Sequence, residues 1–454
     1  MALVSINPAN GKRLATYRAH PTAAIEGAVA RAAKAQVRWR ERPLIERADL
    51  LRSLARELRA GRDALGALAT AEMGKPVAQA RAELEKCALL CDYYAKAAPG
   101  LLADERPAGA PQRARVTFEP LGVVLAIMPW NFPFWQALRA AVPVIVGGNA
   151  LLLKHAPNVP GCALALEKVF ARAGFPAGIF QVLLTGVEPV PRLIADPRVR
   201  GVALTGSTTA GKAVAALAGA AMKPGMFELG GSDPAIVFPD ADLDRAAEIC
   251  AAARLLNSGQ SCICAKRFIV VRSARREFEA RFVARMAARR VGDPADPATE
   301  VGPLARADLR ARLHQQVRRS VRAGARLLLG GSPLPGPGFF YAPTVLTNVR
   351  PGMAAHDEEV FGPVAAIIAV RDEAEAVRIA NDSPFGLGAA IFTGDASRAR
   401  RVAERLEAGC VFVNALVRSS PELPFGGVKQ SGHGRELGEW GVRAFVNVKT
   451  IVGA

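Results

Sequence analysis

The feature that most constrains the fold is an alternation of short apolar runs with longer helical stretches, which begins near Val116. Four runs have the length and composition of buried strands, and a helix-compatible segment follows each: 123–127, 151–154, 180–184 and 202–205. The alternation resumes after Gly230, with runs at 235–238, 268–271, 364–370, 389–392 and 409–414. Alternating strands and helices favour βαβ units, in which helices cover both faces of a parallel sheet. The sequence therefore predicts two α/β units in succession.

Residues 22–102, which precede the first of these runs, predict a series of amphipathic helices. Apolar residues recur there every three and four positions among Ala, Leu, Arg and Glu. The whole chain has 454 residues, and 50% of them are hydrophobic, so it can bury a large core divided among two or three domains. A Pro- and Gly-rich stretch at 330–338 is expected to be a surface loop of the second unit.

Composition argues against several classes of protein. The longest apolar stretches are broken by Pro or Gly well short of the ~20 residues that a membrane span needs, and the N-terminus lacks the pattern of a signal peptide. We therefore expect a cytoplasmic protein with no membrane partner. The seven cysteines lack zinc-binding spacing and indicate reduced thiols, and the five scattered histidines predict no metal site.

The formal charge of +18 raises the question of nucleic-acid binding, because clustered Lys and Arg side chains bind phosphates. The arginines are instead spread along helical segments such as 47–62 and 285–290, interleaved with Ala, Leu and other residues. Aromatic residues that could stack on bases are few. We interpret the charge as solvated helix faces and expect no nucleic-acid partner.

A glycine-containing turn at 206–212 (GSTTAGK) follows the apolar run at 202–205 and opens a helix. It differs from the P-loop of nucleoside triphosphatases, because Ala213 stands where a Ser or Thr hydroxyl would bind Mg²⁺. Free N–H groups and the helix dipole still form an anion site suited to a pyrophosphate. Taken alone, the pattern is equally compatible with a structural turn.

Cys262 lies in another glycine-containing turn after a helix, at 257–264 (NSGQSCIC). An isolated cysteine in such a turn is more often an ordinary buried thiol than a nucleophile. The wider set of motifs changes that interpretation. Six stretches follow one another along the chain: 129–133 (PWNFP), 205–208 (TGST), 228–231 (ELGG), 259–262 (GQSC), 358–363 (EEVFGP) and 424–429 (PFGGVK).

In order and spacing these motifs resemble the aldehyde dehydrogenase family over essentially the whole chain. The resemblance implies an α/β fold with three parts: a Rossmann-like cofactor domain (1–102 and 120–229), an α/β catalytic domain (230–431) and a small β oligomerisation flap (103–119 and 444–454). The flap would join subunits into homodimers or homotetramers, since its apolar C-terminal strand would otherwise be an exposed edge.

The resemblance also implies catalytic roles for three residues. Cys262 matches the nucleophile that attacks the aldehyde carbon and later carries a thioester. Asn131 matches the amide that stabilises the oxyanion together with the backbone N–H of Cys262. Glu228 matches the general base that assists thiol deprotonation and activates the hydrolytic water. CoA-acylating relatives tend to lack this Glu, so its presence argues against a CoA-acylating enzyme. A non-catalytic member of the family would be expected to have lost one of the three residues, and all three are present.

The cofactor that the resemblance implies is NAD or NADP. The residues that match family contacts to it are Trp130, Lys154, Gly206, Ser207, Thr208, Leu229, Glu359 and Phe361. The family often has a carboxylate shortly after the lysine, but this chain reads KHAP at 154–157. Without that carboxylate Lys154 is free to pair with a 2′-phosphate, so NADP should be accepted, and the preference between the two nucleotides stays open.

Within the family the nearest resemblance is to bacterial succinate-semialdehyde dehydrogenases. The stretches that carry it are 228–234 (ELGGSDP), 264–268 (CAKRF) and 432–437 (GHGREL). In these enzymes an Arg nine residues after the motif Trp binds the distal carboxylate of a small aldehyde; Arg139 stands there, and Ser420 matches a second contact. A further family Arg is replaced by Leu256, and Arg254 and Arg418 are the two candidates to take over its role.

Two alternatives remain for the substrate site. Arg139 could be a helix-surface residue, and the substrate could be glutarate semialdehyde or a general aliphatic aldehyde. Cys264, two residues after Cys262, also has two interpretations. Some relatives with this spacing close a disulfide under oxidation, and the other possibility is an inert packing thiol.

Overall fold

Residues 2–111 and 113–453 are described by the computed structural model. The N-terminal elements are β1 (Ala2–Ile6), β2 (Arg13–Arg18), α1 (Thr22–Glu41), α2 (Leu44–Ala60), α3 (Arg62–Met73) and α4 (Val77–Leu101). Four helices thus fill the region in which the sequence predicts them. Each buries an apolar stripe: on α4, Ala80, Leu84, Cys87 and Cys91 share one face because residues three and four apart lie together.

The next elements belong largely to the first α/β unit. They are β3 (Ala114–Pro120), β4 (Val123–Met128), α5 (Trp135–Val146), β5 (Ala150–His155), α6 (Pro160–Arg172), β6 (Phe180–Val182), α7 (Val190–Ala195), β7 (Val199–Thr205), α8 (Thr208–Ala220) and β8 (Gly225–Glu228). Helix α4 packs against α2 and α5, which places its polar residues beside the segment that follows β4.

The remaining elements begin with the second unit. They are β9 (Pro234–Val237), α9 (Leu243–Leu255), a 3-10 turn (Leu256–Gly259), β10 (Arg267–Val271), α10 (Arg272–Ala287), α11 (Ala307–Arg322), β11 (Arg326–Leu329), β12 (Thr344–Thr347), α12 (Ala354–Asp357), β13 (Val364–Val370), α13 (Glu373–Asn381), β14 (Phe385–Gly386), β15 (Gly388–Phe392), α14 (Ala396–Arg405), β16 (Cys410–Val413), β17 (Val428–Lys429), β18 (Gly432–His433), α15 (Gly438–Arg443) and β19 (Val446–Val452).

The first sheet has six strands in the order β18-β8-β7-β4-β5-β6, and only β18 is antiparallel to its neighbour. From β4 the chain builds outward through β5 and β6, then returns to add β7 and β8 on the other side. The strand order therefore reverses between β4 and β7. In open α/β sheets, ligands bind at the carboxyl ends of strands beside such a switch point.

The second sheet has seven strands in the order β11-β12-β13-β10-β9-β15-β16, all parallel except β11 against β12. Its central strands are buried on both faces, as β10 shows, which explains their continuous apolar runs. All nine runs predicted to be strands coincide with strands. Within this second sheet, strands β11 and β12 are additional, and the stretch 330–338 between them is irregular, as predicted.

Strands β3 and β19 pair in a separate two-stranded sheet at the positions predicted for the flap. The side chains of Val448 and Val452 on β19 are 60% and 59% exposed. Just before this strand, β18 returns to the first sheet and pairs with β8, so the C-terminal segment packs against the first unit. Among the described residues, no helix combines the length and the apolar character needed to cross a membrane.

Candidate active site

Two cavities meet at Cys262. The first, which we call the cleft, has a volume of about 180 Å³ and lies at the carboxyl ends of β4 and β7. The second, which we call the pocket, has a volume of about 210 Å³ and lies among α4, α5 and the segment 416–425. Cys262 and Gln136 line both cavities. A ligand in one can therefore meet a ligand in the other at the cysteine.

The structure brings most of the predicted cofactor contacts together on the cleft wall. Six of the eight line it: Trp130, Gly206, Ser207, Leu229, Glu359 and Phe361. The other two do not line the cleft. Lys154 is the next-to-last residue of β5, and Thr208 is the first residue of α8. The rings of Trp130 and Phe361 meet edge to face with their centroids 5.9 Å apart. The wall thus joins the first unit to the second.

Helix α11 closes the cleft with residues that the sequence analysis missed. Leu309, Arg312, Leu313 and Gln316 line the cleft from one helix face, at the three- and four-residue spacing that such a face requires. The amide of Gln316 donates to the backbone oxygen of Glu359 at 3.2 Å. The spacing was visible in the sequence, but no motif connected this helix to the cleft.

The cleft has the hydrogen-bonding groups that a nicotinamide dinucleotide needs. Ser207 caps α8, where its hydroxyl accepts the N–H of Ala210 at 3.2 Å, and the helix start favours a pyrophosphate. Opposite this turn, Glu359 accepts the N–H of Gly231 at 3.0 Å. A Cβ at Gly230 would lie 2.6 Å from Oε2 of Glu359, so only glycine lets this carboxylate reach the cleft wall, where it can accept ribose hydroxyls.

A strained turn leads into the Cys262 loop. Asn257 and Ser258 have φ values of 52° and 55°, and Gly259 follows with 75°. Left-handed backbone is uncommon for residues with a side chain, and such strain is concentrated at functional sites. The amide of Asn257 donates to the backbone oxygen of Asn131 at 2.7 Å. The turn is therefore tied directly to the segment that carries the predicted oxyanion donor.

Lys266 holds the same loop from within the protein. Its ammonium group, 1% exposed, donates to the backbone oxygens of Ser261 at 3.1 Å, Cys262 at 2.7 Å and Cys264 at 3.2 Å. It also lies 3.8 Å from Oε1 of Glu359. An ammonium has three N–H donors, and here all three find acceptors. The motifs give Lys266 no role, although a lysine four residues after the candidate nucleophile is a visible signal.

Asn131, the predicted oxyanion donor, lines the cleft beside Cys262 and is 5% exposed. Its amide nitrogen donates to the backbone oxygen of Gln260 at 3.1 Å. A carboxamide has two N–H groups, so one further donor is available to a ligand. Its carbonyl oxygen has no hydrogen-bond partner within residues 2–111 and 113–453.

Glu228, the predicted base, is the last residue of β8 and is 2% exposed. Within the described part of the chain, neither of its carboxylate oxygens has a hydrogen-bond partner. Burial, opposed by Arg139 and reinforced by Glu436, raises the pKa of Glu228 to about 8. Burial and the nearby Glu228 also raise the pKa of the Cys262 thiol, against the influence of Arg139 and Lys266. Both groups are therefore mainly protonated at neutral pH in the free site.

Arg139 lies on the pocket wall, but its charge is already paired. Its Nε forms an ion pair with Glu436, and its Nη2 lies 3.7 Å from Oε2 of Glu228. The same Nη2 donates to the hydroxyl of Thr205 at 3.3 Å. Burial raises the pKa of Glu436, and Arg139 opposes that shift. Arg139 is thus not a helix-surface residue: it links two buried carboxylates, of which the sequence analysis had not singled out Glu436.

Two other cations, Lys86 and Arg418, line the pocket. The ammonium of Lys86 donates to the hydroxyl of Ser419 at 2.8 Å. Ser419, and not the predicted Ser420, lies on the pocket wall. Leu256 also lines the pocket, at the position where relatives often have an arginine. The charged part of the pocket therefore differs from the one that the sequence predicted.

Arg254 does not replace the missing arginine. Its guanidinium is fully buried and donates to the backbone oxygens of Ala265 at 3.0 Å, Gly259 at 2.6 Å and Gly362 at 2.7 Å. These bonds hold the loop around the nucleophile and direct the side chain away from the pocket. Of the two candidates, only Arg418 is on the pocket wall.

All seven cysteines are free thiols. Cys264 is 1% exposed and donates to the backbone oxygen of Leu256 at 3.5 Å, so its redox role stays a prediction. Across 2–111 and 113–453, no group of three or more His, Cys, Asp or Glu side chains is arranged to hold a metal ion.

Comparison with known proteins adds independent findings. Residues 2–451 match the model of the aldehyde dehydrogenase family. The chain is similar to succinate semialdehyde dehydrogenase [NAD(P)+] Sad of Escherichia coli, with 48% identity over 99% of this chain and 97% of that protein. It is also similar to succinate-semialdehyde dehydrogenase [NADP(+)] of Mycobacterium avium, with 49% identity over 99% of this chain and 96% of that protein.

Solved structures agree with the fold. The succinic semialdehyde dehydrogenase of Streptococcus pyogenes, in complex with NADP+ as the cofactor, has a TM-score of 0.97 and 37% identity over 99% of both chains. The structure of Gox0499, described as giving insight into cofactor and substrate selection, has a TM-score of 0.98 and 39% identity over 100% of both chains. The predicted α/β fold is confirmed.

Proposed function

Because this chain belongs to the aldehyde dehydrogenase family, we propose that it oxidises succinate semialdehyde to succinate with NAD⁺ or NADP⁺. The observation that carries the proposal is the meeting of the cleft and the pocket at Cys262. Cations line the pocket, which suits an aldehyde with a carboxylate at its far end. The names of the two similar enzymes from E. coli and M. avium support the same substrate.

Acylation begins when Glu228 accepts the proton of the Cys262 thiol and the sulfur attacks the aldehyde carbon, forming a C–S bond. A base with a pKa near the working pH can both take up and release a proton. The aldehyde oxygen becomes an alkoxide, which the free N–H of Asn131 and the backbone N–H of Cys262 stabilise. One such donor typically lowers the barrier by ~3–4 kcal/mol.

When bound in the cleft, a nicotinamide dinucleotide would supply the acceptor for the hydride that leaves the former aldehyde carbon. A thioester on Cys262 remains. Glu228 first releases to solvent the proton that it took from the thiol, and it then takes a proton from a water molecule, whose oxygen attacks the thioester carbon. The C–S bond breaks, the acid leaves, and the cysteine sulfur regains a proton from Glu228. Arg139 stabilises the ionised form of Glu228 throughout, since it lies 3.7 Å away.

The cleft residues divide the recognition of the cofactor among them. The turn at Gly206 and Ser207 would hold the pyrophosphate, Glu359 the ribose, and the walls at Trp130 and Phe361 the nicotinamide. Lys154 is buried, and burial lowers its pKa while the charge of Glu188 opposes that shift. A 2′-phosphate near this lysine would be favoured, which supports use of NADP⁺ as well as NAD⁺.

We also propose that the protein acts in the cytoplasm as a homodimer or homotetramer. The seven free thiols suit a reducing compartment. The exposed apolar side chains of Val448 and Val452 on β19 suit a strand that a second subunit covers. Light scattering of the purified protein, at several concentrations, measures the assembly.

The substrate is tested by comparing succinate semialdehyde, glutarate semialdehyde and butyraldehyde with NAD⁺ or NADP⁺, following the reduced nicotinamide. We expect kcat/KM for succinate semialdehyde to exceed that for butyraldehyde by about 10- to 100-fold, the effect of one charge-assisted contact. Glutarate semialdehyde should lose less, because a single methylene discriminates weakly. Equal values for succinate semialdehyde and butyraldehyde would contradict the proposed substrate.

A further inference from the structure

The pocket contains a cation whose charge nothing in the described chain neutralises. Lys86 lies on the face of α4 that also presents Gln79, Ala82 and Glu83 to the pocket, at spacings of three, four and seven residues. The rest of the wall is largely apolar, with Phe132, Trp135, Leu256, Leu416, Val417 and Phe425. An ammonium among such side chains is destabilised unless an anion joins it.

The contacts of Lys86 leave room for an anion. Its Nζ donates to Oγ of Ser419 at 2.8 Å and lies 4.1 Å from the centroid of the Trp135 ring. No carboxylate lies within ion-pair distance of it anywhere in 2–111 or 113–453. An ammonium has three N–H donors, so two remain for a ligand.

The acidic residues close to Lys86 in the chain and the carboxylate paired with Arg139 are already engaged, and Glu85, next to Lys86, forms an ion pair with Arg59. Glu83, one turn away on α4, forms an ion pair with Lys75 and accepts the N–H groups of Phe134 at 2.9 Å and Trp135 at 2.8 Å. Glu436 is paired with Arg139 across the pocket. Arg139 therefore has its own counterions, whereas Lys86 has none.

We infer that Lys86, with the hydroxyl of Ser419, binds the distal carboxylate of the substrate. Lys86 and Cys262 line the same pocket, as a short substrate with an aldehyde at one end and a carboxylate at the other requires. Arg418, also on the wall and free of ion pairs in the described chain, adds a second positive charge. The inference rests on the proposed oxidation of a semialdehyde and names the residue that selects it.

Burial supports this assignment of the charge. It lowers the pKa of Lys86 to about 8, with Arg139 adding to the shift and Cys87, Glu83 and Cys262 opposing it. A bound carboxylate would reverse this shift, because an anion stabilises the ammonium form. The pocket is thus more favourable to an anionic ligand than to a neutral one.

The test compares kcat and KM for succinate semialdehyde and butyraldehyde in the wild type and in Lys86→Met, Lys86→Arg and Lys96→Met. Lys96 lies on the same helix but is exposed, which makes it the matched control. We expect Lys86→Met to lower kcat/KM for succinate semialdehyde by about 10- to 100-fold, mainly through KM, and to change butyraldehyde by less than about threefold. Lys86→Arg should keep most of the preference, and Lys96→Met all of it.

A second measurement covers the case in which Lys86→Met does not fold. Succinate should inhibit butyraldehyde oxidation about 10- to 100-fold less strongly in Lys86→Gln than in the wild type. Inhibition by the neutral diamide of succinate, which carries no carboxylate, is the reference and should not change in this way. An equal loss for both aldehydes in Lys86→Met, or an unchanged preference in that variant, would overturn the inference alone. A wild-type enzyme with no preference for succinate semialdehyde would overturn both this inference and the proposed substrate.

Discussion

The cleft and the pocket share Cys262, yet they are built in different ways. One wall of the cleft is formed by segments that leave β4, β7 and β8, so the sheet dictates where that wall lies, and α11 closes the other side. The pocket is formed by side chains on α4 and α5 and on the segment 416–425. Residues that follow the strands of a sheet have nearly fixed positions. The side chains that select the substrate can change without moving those residues. Substitutions at the point where the two cavities meet should therefore lower the oxidation of all aldehydes. Substitutions elsewhere in the pocket should lower the oxidation of only some.

The largest effect is expected for Cys262→Ala, since both cavities serve this sulfur. Turnover of every aldehyde should fall by about 10⁴- to 10⁶-fold, the loss typical when a covalent nucleophile is removed. Cofactor binding, measured by quenching of protein fluorescence, should persist because the cleft is intact. Cys264→Ala is the control and should retain most activity. Substantial turnover in Cys262→Ala would show that this cysteine is not the nucleophile and that the reaction does not take place where the two cavities meet.

Glu228→Gln should have the next largest effect, also on every aldehyde. We expect a rapid burst of reduced nicotinamide and then steady turnover about 10²- to 10⁴-fold slower, because the thioester lacks its general base. The wild type should gain activity as the pH rises through about 8, since the raised pKa of Glu228 keeps it protonated below that value. Full steady-state activity without a burst would exclude Glu228 from hydrolysis.

Arg139→Leu tests whether this residue supports the reaction of every aldehyde or selects the substrate. Because Arg139 is paired with Glu436 and Glu228, its loss should depress both succinate semialdehyde and butyraldehyde, by about 10- to 100-fold. The rise in activity with pH should also move to higher pH, since Glu228 loses its stabilising cation. Arg139→Lys should recover part of both effects. A loss confined to succinate semialdehyde would instead support the sequence-based prediction that Arg139 binds the distal carboxylate.

The smallest effect separates two neighbouring serines. Ser419→Ala should lower kcat/KM for succinate semialdehyde by about 2- to 10-fold, the contribution of one hydrogen bond, with butyraldehyde unchanged. Ser420→Ala should leave both values within about twofold of the wild type, because Ser420 is not on the pocket wall. The reverse pattern would show that the carboxylate sits closer to the sequence-predicted position.

The sequence predicted those parts of the molecule that local patterns specify. Apolar runs located all nine strands that it named, and six of the eight residues that the motifs predict as cofactor contacts line the cleft. The pairing of charges was not predictable in this way. Whether Arg139 faces a substrate or two carboxylates depends on Glu228 and Glu436, which lie 89 and 297 residues away in the chain.

Helix residues that contribute to the cavities were missed for a related reason. Lys86 and Arg312 occur among many basic residues on amphipathic helices, and the chain has 59 Lys and Arg in all. Their periodicity predicts a helix, but it does not say which helix turns its polar face into a cavity. Only the packing of α4 on α5, and of α11 beside the cleft, distinguishes them from solvated charges.

The return of the chain to the first sheet at β18 affects how the protein is made. Gly432 pairs with Glu228, the Leu229 N–H donates to the Ser431 oxygen at 3.0 Å, and the Ser431 hydroxyl donates to the Gly230 oxygen at 2.6 Å. The strand that carries the base is therefore completed by Gly432, which follows Glu228 by 204 residues. On the ribosome, where N-terminal parts fold first, the first sheet is incomplete until β18 has emerged. A nascent chain thus carries the nucleophile but not a finished active site.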